Sequence, residues 1–368
     1  MLHMDSRDYN EAASDAAARA RVKMQETIDV GRASAERTIA TVMRDVPQDM
    51  LVRARALDVN VSNGHVFANL PSTGSGTQHS AFSSHAFGQL CAKAGVPLAY
   101  ARELLASGAW GEALLAKALR DHLANGPDEK QLVRLVGGQV RGVLSDSYKR
   151  LDSRPLVEAF CGASQEAGLV PVMGHATETR VALKAMLPVV FEPAPNEIMA
   201  FGLEWENSDF GAGAHSCRVF MLRLWCTNFA IAERALRQVH LGKKMDDVGF
   251  SSRTYQLEAQ AQASALGDIV RGALAPERIA AYCNVIAAAS VDKIDAGREL
   301  AKLKALTKGE RTEVAEAFNS PDVEMMPAGN TMWRLSNAIS WVAQKADGED
   351  RRLELEKLAG DVLPCKAA

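Results

Sequence analysis

Hydrophobic positions along this chain follow two periods, and the switch between them divides it into parts. From Ser80 to Leu123 apolar residues recur every three to four positions and predict three helices. The first carries Phe87, Leu90 and Cys91; the second Leu98, Ala101, Leu104 and Leu105; the third Leu114, Leu115, Ala118 and Leu119. Ser84 is placed to cap the first helix, Gly95 to close it and Pro97 to open the second. Asn125-Gly126-Pro127 stops the third.

The period then changes to two. Leu132–Val136, Gly137-Gly138 and Gln139–Leu144 read as a hairpin. After a helix over Pro155–Ala167, strands are predicted at Thr179–Leu187, Glu197–Glu206 and Ser216–Cys226. In the second of these Met199, Phe201, Leu203 and Trp205 alternate as a bulky apolar face. An earlier pair, Leu57–Val61 and His65–Leu70, brackets an Asn63-Gly64 turn. Helical spacing returns from Arg253, with Asp268–Val285 as one segment and Thr331–Gln344 and Arg351–Leu358 as the last helices.

Strands joined by hairpins, with helices before and after, predict an α+β fold. Its centre is an antiparallel sheet flanked by N-terminal and C-terminal helical regions. Residues 8–45 form a helix with a thin alanine face, expected to be a solvated or partner-packed arm. The division expected is an arm and flexible loop over 1–78, a main domain over 79–358 and a tail over 359–368. Within the main domain the helices occupy 80–124 and 253–358 and the strand-rich core 130–228.

Composition changes this picture little. At 368 residues, with 47% hydrophobic and 24% charged side chains, the chain can bury a large core. The N-terminal MLHMDSRDYNEAAS has no apolar run, so no signal peptide is expected. No stretch is long and apolar enough to suggest a membrane span. The six cysteines form no CxxC pair and read as thiols of a reducing, cytoplasmic compartment. With the eight histidines they make no zinc-ligand spacing.

Charge matters more. The net charge is −3, yet Phe210–Lys244 carries six cations against one acid, Glu233. Those cations are Arg218, Arg223, Arg234, Arg237, Lys243 and Lys244. Arg141, Lys149, Arg150, Arg180 and Lys184 belong to the neighbouring strands and turns. Cations on an exposed sheet face can follow a phosphate backbone, and Tyr148, Phe210 and Phe220 beside them can stack bases. Arg218 and Arg223 are an odd number apart, so one regular strand puts them on opposite faces.

Catalytic templates are missing: there is no GxSxG, HExxH, GxGxxG after a strand, or phosphate-loop lysine. Glu204 and Glu206 share a strand face near Asp209 and offer oxygen ligands for a divalent ion, against the simpler reading of a solvent-facing edge. No cofactor is implied.

Several segments carry a family resemblance. They are RGVLSDSYKRLD (Arg141–Asp152), NSDFGAG (Asn207–Gly213), RLWCTN (Arg223–Asn228), VHLG (Val239–Gly242) and the later NTMWRLSNAIS. With AFGQLCAKAGVPLAYARELL (Ala86–Leu105), in this order, they resemble the phage-, plasmid- and prophage-borne "domain of unknown function 932" family over about Ser80–Leu358. The chain departs from that pattern at Trp225 and at His240-Leu241. The resemblance implies DNA replication, recombination or host takeover in a bacterial cell. The element order is also similar in outline to phage single-strand annealing proteins of the Bet, RecT and Erf kind, which form rings or filaments on DNA.

The first expectation is therefore a mobile-element protein that binds single-stranded DNA and promotes annealing, as a homo-oligomer without enzymatic activity. Its contacts would come from Arg141, Tyr148, Lys149, Arg150, Arg180, Lys184, Phe210, Arg218, Arg223, Lys243 and Lys244. Two alternatives stand beside it. One is a self-assembling interaction protein that uses the 8–45 helix as its arm and acts on a host factor. The other is a metal-dependent nuclease built on Glu204, Glu206 and Asp209.

Overall fold

A computed structural model describes residues 14–71, 76–224, 228–238, 251–320 and 326–363. It has the α+β class expected, with three antiparallel sheets among helices.

The first half of the chain builds two small sheets around one core. β2 (Asp58–Ser62), β3 (His65–Pro71) and β4 (Thr77–Ala81) form a meander. β1 (Gln48–Arg53), β5 (Lys130–Val136) and β6 (Gln139–Ser145) form the second sheet, in the order β1-β5-β6. The two hairpins read from sequence are both present. Asn63 and Gly64 turn β2 into β3 with φ of 51° and 73°, and Gly137 and Gly138 turn β5 into β6 at 57° and 81°. Positive φ at both central residues matches the right-handed twist of the strands they join.

Against these sheets pack α2 (Ser84–Ala94), α3 (Leu98–Ala106) and α4 (Ala109–Asn125). Val59, Leu70, Phe87, Leu90, Leu115, Leu119, Val133 and Val143 belong to their shared core. α2 is capped one residue earlier than expected: Ser83 Oγ accepts from the Ala86 amide. Gly95 closes it at φ 68°.

The second half is built on one large sheet, ordered β12-β11-β10-β8-β7. These strands are β7 (Val170–Ala176), β8 (Val181–Met186), β10 (Glu197–Asn207), β11 (His215–Arg223) and β12 (Asn228–Gln238). β9 (Phe191–Ala194) pairs with the start of β10. Met199, Phe201, Leu203 and Trp205 face the main core, as their alternation predicts. That core also takes side chains from α5 (Ser153–Glu166), α6 (Ser252–Ala273), α7 (Pro276–Val291) and α8 (Ala296–Lys302). α9 (Lys308–Asn319), α10 (Met332–Ala343) and α11 (Glu349–Asp361) contribute to it as well. Asp268–Val285, expected as one segment, is broken at Leu274-Ala275, and Pro276 opens α7.

The other face is buried too. Ile198, Ala200, Met186, Phe220 and Leu222 meet Ala20, Met24 and Ile28 of α1 (Ser14–Arg44). This corrects the expectation of an arm. Residues 20, 24, 28, 35 and 42 of α1 are all buried, and the last two join the main core. The alanine and glycine face that looked thin is what lets the helix backbone approach β7. A Cβ on Gly31 would lie 1.7 Å from the Val172 carbonyl oxygen, and one on Gly174 would lie 2.4 Å from Cα of Ala35. Ser34 Oγ accepts from the Gly174 amide at 3.1 Å across the same contact. α1 thereby covers the β7 edge, and α11 lies along the opposite edge strand, β12. Among the described residues no helix is long and apolar enough to cross a membrane.

Candidate functional site

Every residue of β8, β10 and β11 is buried, so these strands of the large sheet offer no open face for a ligand to lie along. Their charges are internal. Lys184, Glu204 and Arg218 form one cross-strand row over β8, β10 and β11. Lys184 is 1% exposed and pairs with Glu356 of α11, with its ammonium 5.8 Å from the Phe220 ring centroid. Arg218 Nη2 donates to Glu206 Oε1 at 2.7 Å, and Lys357 Nζ reaches Glu206 Oε2 at 2.9 Å. Arg223 lies on the opposite face from Arg218, as their odd spacing requires. It pairs with Glu197, which also accepts from Trp333 Nε1 at 2.9 Å.

Lys184, Arg218 and Arg223 were expected to contact phosphate. Their charges are met by Glu356, Glu206 and Glu197 inside the protein. Phe220, a stacking candidate, is fully buried. Lys243 and Lys244 lie outside the described residues, as do Trp225 and His240.

The same row answers the metal expectation. Glu204 and Glu206 are neither solvent-facing nor gathered with Asp209, because each sits among cations. Burial raises the Glu206 carboxyl, but the hydrogen bond and charge of Arg218, with Lys357, outweigh it and hold the group down at about 2. Burial pushes Glu204 up, against the opposing charge of Lys184. Among the described residues no group of three or more His, Cys, Asp or Glu side chains is arranged to hold a metal ion.

Four of the expected residues do come together, where the two halves of the chain meet. Residues 207–213 leave β10 and dock on β6 and α2. Tyr148 Oη donates to the Ser208 carbonyl at 3.0 Å. His85 Nε2 and Gln89 Nε2 lie 2.9 and 2.8 Å from the Phe210 carbonyl oxygen. Gly142 lets the Phe210 ring close on β6, since a Cβ there would sit 3.4 Å from it. Arg141 covers that ring at 5.3 Å. Tyr148 and Phe210 are thus buried structural anchors and not open stacking surfaces.

Beneath them is a polar knot that the sequence reading missed. Arg134, 1% exposed, donates to Asp49 at 2.7 Å, to Asp152 at 2.5 Å and to the Asp209 carbonyl at 2.8 Å. The signal was present: a lone arginine inside the otherwise apolar LVRLV of β5. Asp209 Oδ1 accepts from the Ser153 amide at 2.9 Å, from Ser153 Oγ at 2.7 Å and from Asn207 Nδ2 at 3.1 Å. It therefore satisfies a first-turn amide of α5 from across the junction. Burial raises the Asp209 carboxyl to about 6, against the opposing pull of Arg134.

Above the knot is a cleft of about 50 Å³ lined by Arg141, Thr177, Thr179, Arg180 and Asp209 among others. Arg141 donates through Nε and Nη2 to the Glu178 carbonyl at 3.3 and 2.9 Å. Arg180 does the same to the Ala212 carbonyl at 3.0 and 2.7 Å. Its nearest carboxylate, Asp350, is 3.8 Å away. Carbonyls hold both guanidinium groups in place; Arg180 has in addition a long, partly exposed ion pair with Asp350, weaker than the buried pairs of Lys184 and Arg218. On the flank, Lys149 pairs with Glu258. Arg150 lies 2.9 Å from Asp49 and 4.6 Å from the Tyr255 ring centroid.

No protein-family model, no curated protein and no solved structure matches this chain. The junction is therefore weighed on its own chemistry. It offers two fixed positive charges, hydroxyls at Thr177 and Thr179, and a cleft with room for more than one water-sized group.

Proposed function

We propose that this chain binds single-stranded nucleic acid by seating a phosphate at the junction cleft, in the DNA metabolism of a phage or other mobile element. One observation carries the reading. Arg141 and Arg180 are each fixed by a backbone carbonyl, line one cleft, and have no acceptor for Nη1 among the described residues. A phosphate oxygen can accept from both Nη1 groups and adds negative charge at a site where Asp350 stands 3.8 Å from Arg180. Arg141–Asp152 and Asn207–Gly213, two of the segments behind the family resemblance, are the segments that meet here.

The reading narrows the expected interface. Instead of a track along the sheet, it is a short site with few phosphate contacts. Annealing, assembly into a homo-oligomer and a bacterial cytoplasmic setting belong to the same proposal and rest on the resemblance. Two observations favour this reading over the other two: α1 packs on β7, and Glu204 and Glu206 are engaged by cations.

The test is a fluorescence-anisotropy titration of a labelled oligonucleotide. Replacing both arginines (Arg141→Ala with Arg180→Ala) is expected to abolish measurable binding. Unchanged affinity in that variant overturns the proposal.

A further inference from the structure

We infer that the solvent face of β2-β3-β4 is a base-stacking platform for single-stranded nucleic acid. The inference rests on the nucleic-acid reading above and adds a second site to it.

Strand alternation sends Val59, Val66, Ala68 and Leu70 inward, where all four are buried. Asp58, His65, Phe67, Asn69 and His79 therefore share the outer face. On a solvated face of so small a sheet, polar residues are the expectation, yet Phe67 stands in the central strand. Its ring stacks on His79 with centroids 4.4 Å apart and planes 17° from parallel. His65 flanks it at 6.3 Å. His65 and His79 are exposed.

The stack is held in orientation. Asn69 Nδ2 donates to Asp58 Oδ2 at 2.6 Å, so its Oδ1 is the acceptor for His79 Nδ1 at 2.9 Å. That chain puts the His79 proton on Nδ1 and leaves Nε2 as an acceptor. A base stacked beside this ring can present an exocyclic amino group to it, as cytosine and adenine do. A further exposed aromatic lies on the helix turn that meets the β2–β3 hairpin. Trp110, 66% exposed, opens α4, and Glu112 of the same turn accepts from the Gly64 amide at 2.6 Å in the turn before His65.

The platform is also connected to the cleft. β4 leads from His79 to Phe82, which bridges Val140, the neighbour of Arg141. Three residues of strand, one strand spacing and one further residue make a path of at most about 20 Å. One short oligonucleotide can therefore meet stacking rings and fixed guanidinium groups together. The division of labour is physical: the platform face carries the acid Asp58 and two histidines, so it contributes by stacking and the cleft by charge.

Two probes separate these contributions: a short oligo(dC), and an abasic oligonucleotide with the same number of phosphates. Each is titrated against the wild-type chain, Phe67→Leu and His79→Gln, with thermal melting to confirm that the variants are folded. Leucine keeps apolar cover and removes the π-face. The platform predicts that oligo(dC) binds about tenfold tighter than the abasic strand. Each variant is expected to remove that ratio and leave abasic affinity unchanged. If both strands bind the wild-type chain equally, or if Phe67→Leu keeps the ratio, the platform is overturned and the cleft stands. If neither strand binds, the nucleic-acid reading fails and takes the platform with it.

Discussion

Lys184, at the middle of the large sheet, is paired with Glu356 of the C-terminal helix, and both side chains are excluded from water. A buried pair of this kind contributes little net stability against an apolar replacement, but breaking one side of it strands a charge. Glu356→Ala is therefore expected to cost about 3–5 kcal/mol in urea unfolding. Lys184→Met combined with Glu356→Leu is expected to recover most of that loss. A single variant as stable as the wild type would mean that the ammonium reaches water.

α1 is held against β7 by the absence of two side chains. Gly31→Ala and Gly174→Ala each drive a methyl group into backbone and are expected to cost about 3 kcal/mol. Gly162→Ala, in the interior of α5 where a Cβ meets nothing within 4 Å, is the control. It is expected to gain about 0.5–1 kcal/mol from helix propensity. Denaturant midpoints of the three variants check the contrast.

Asp209 gives the junction a pH signature. Its carboxyl is raised to about 6 in the folded chain, above the usual value of 3.8. The folded form holds this proton more tightly than the unfolded form. Stability from this group is therefore full below about pH 4 and is lost as pH rises through 6, by about 3 kcal/mol. Glu206 and Glu310, both held down at about 2, act with opposite sign and in a lower window. The difference in unfolding free energy between the wild-type chain and Asp209→Asn, followed from pH 4 to 7, isolates the Asp209 contribution. It is expected to fall across that range. A flat difference contradicts the raised carboxyl.

What the sequence made legible was local chemistry. Asn63-Gly64 and Gly137-Gly138 announced their hairpins, and the alternation of Met199, Phe201, Leu203 and Trp205 announced β10 and its core face. What it hid depends on distant partners. β12 was missed because its AERALR stretch is made of good helix formers, overridden by pairing with β11. β1 is only six residues long and β4 five, the latter largely polar. The cations of the sheet looked solvated because alternating charge normally marks an open face. The acid that meets Lys184 and the helix that carries it arrive from residues 349–361, far along the chain, while Arg218 and Arg223 are met by Glu206 and Glu197 of the neighbouring strand. Arg141 and Arg180 were legible as cations, and what distinguishes them, anchoring by carbonyls instead of carboxylates, is visible only in three dimensions.

The most direct test of the account is the salt dependence of single-stranded DNA binding. Each phosphate contact to a single strand contributes about 0.7 to the slope of log K against log salt. A cleft using Arg141 and Arg180 predicts a slope of magnitude about 1.4, unchanged in Lys184→Met and lost when both arginines are replaced by alanine. A slope near 6, as the nine cations expected from the sequence would give together, contradicts the account. So does a slope that survives the loss of both arginines.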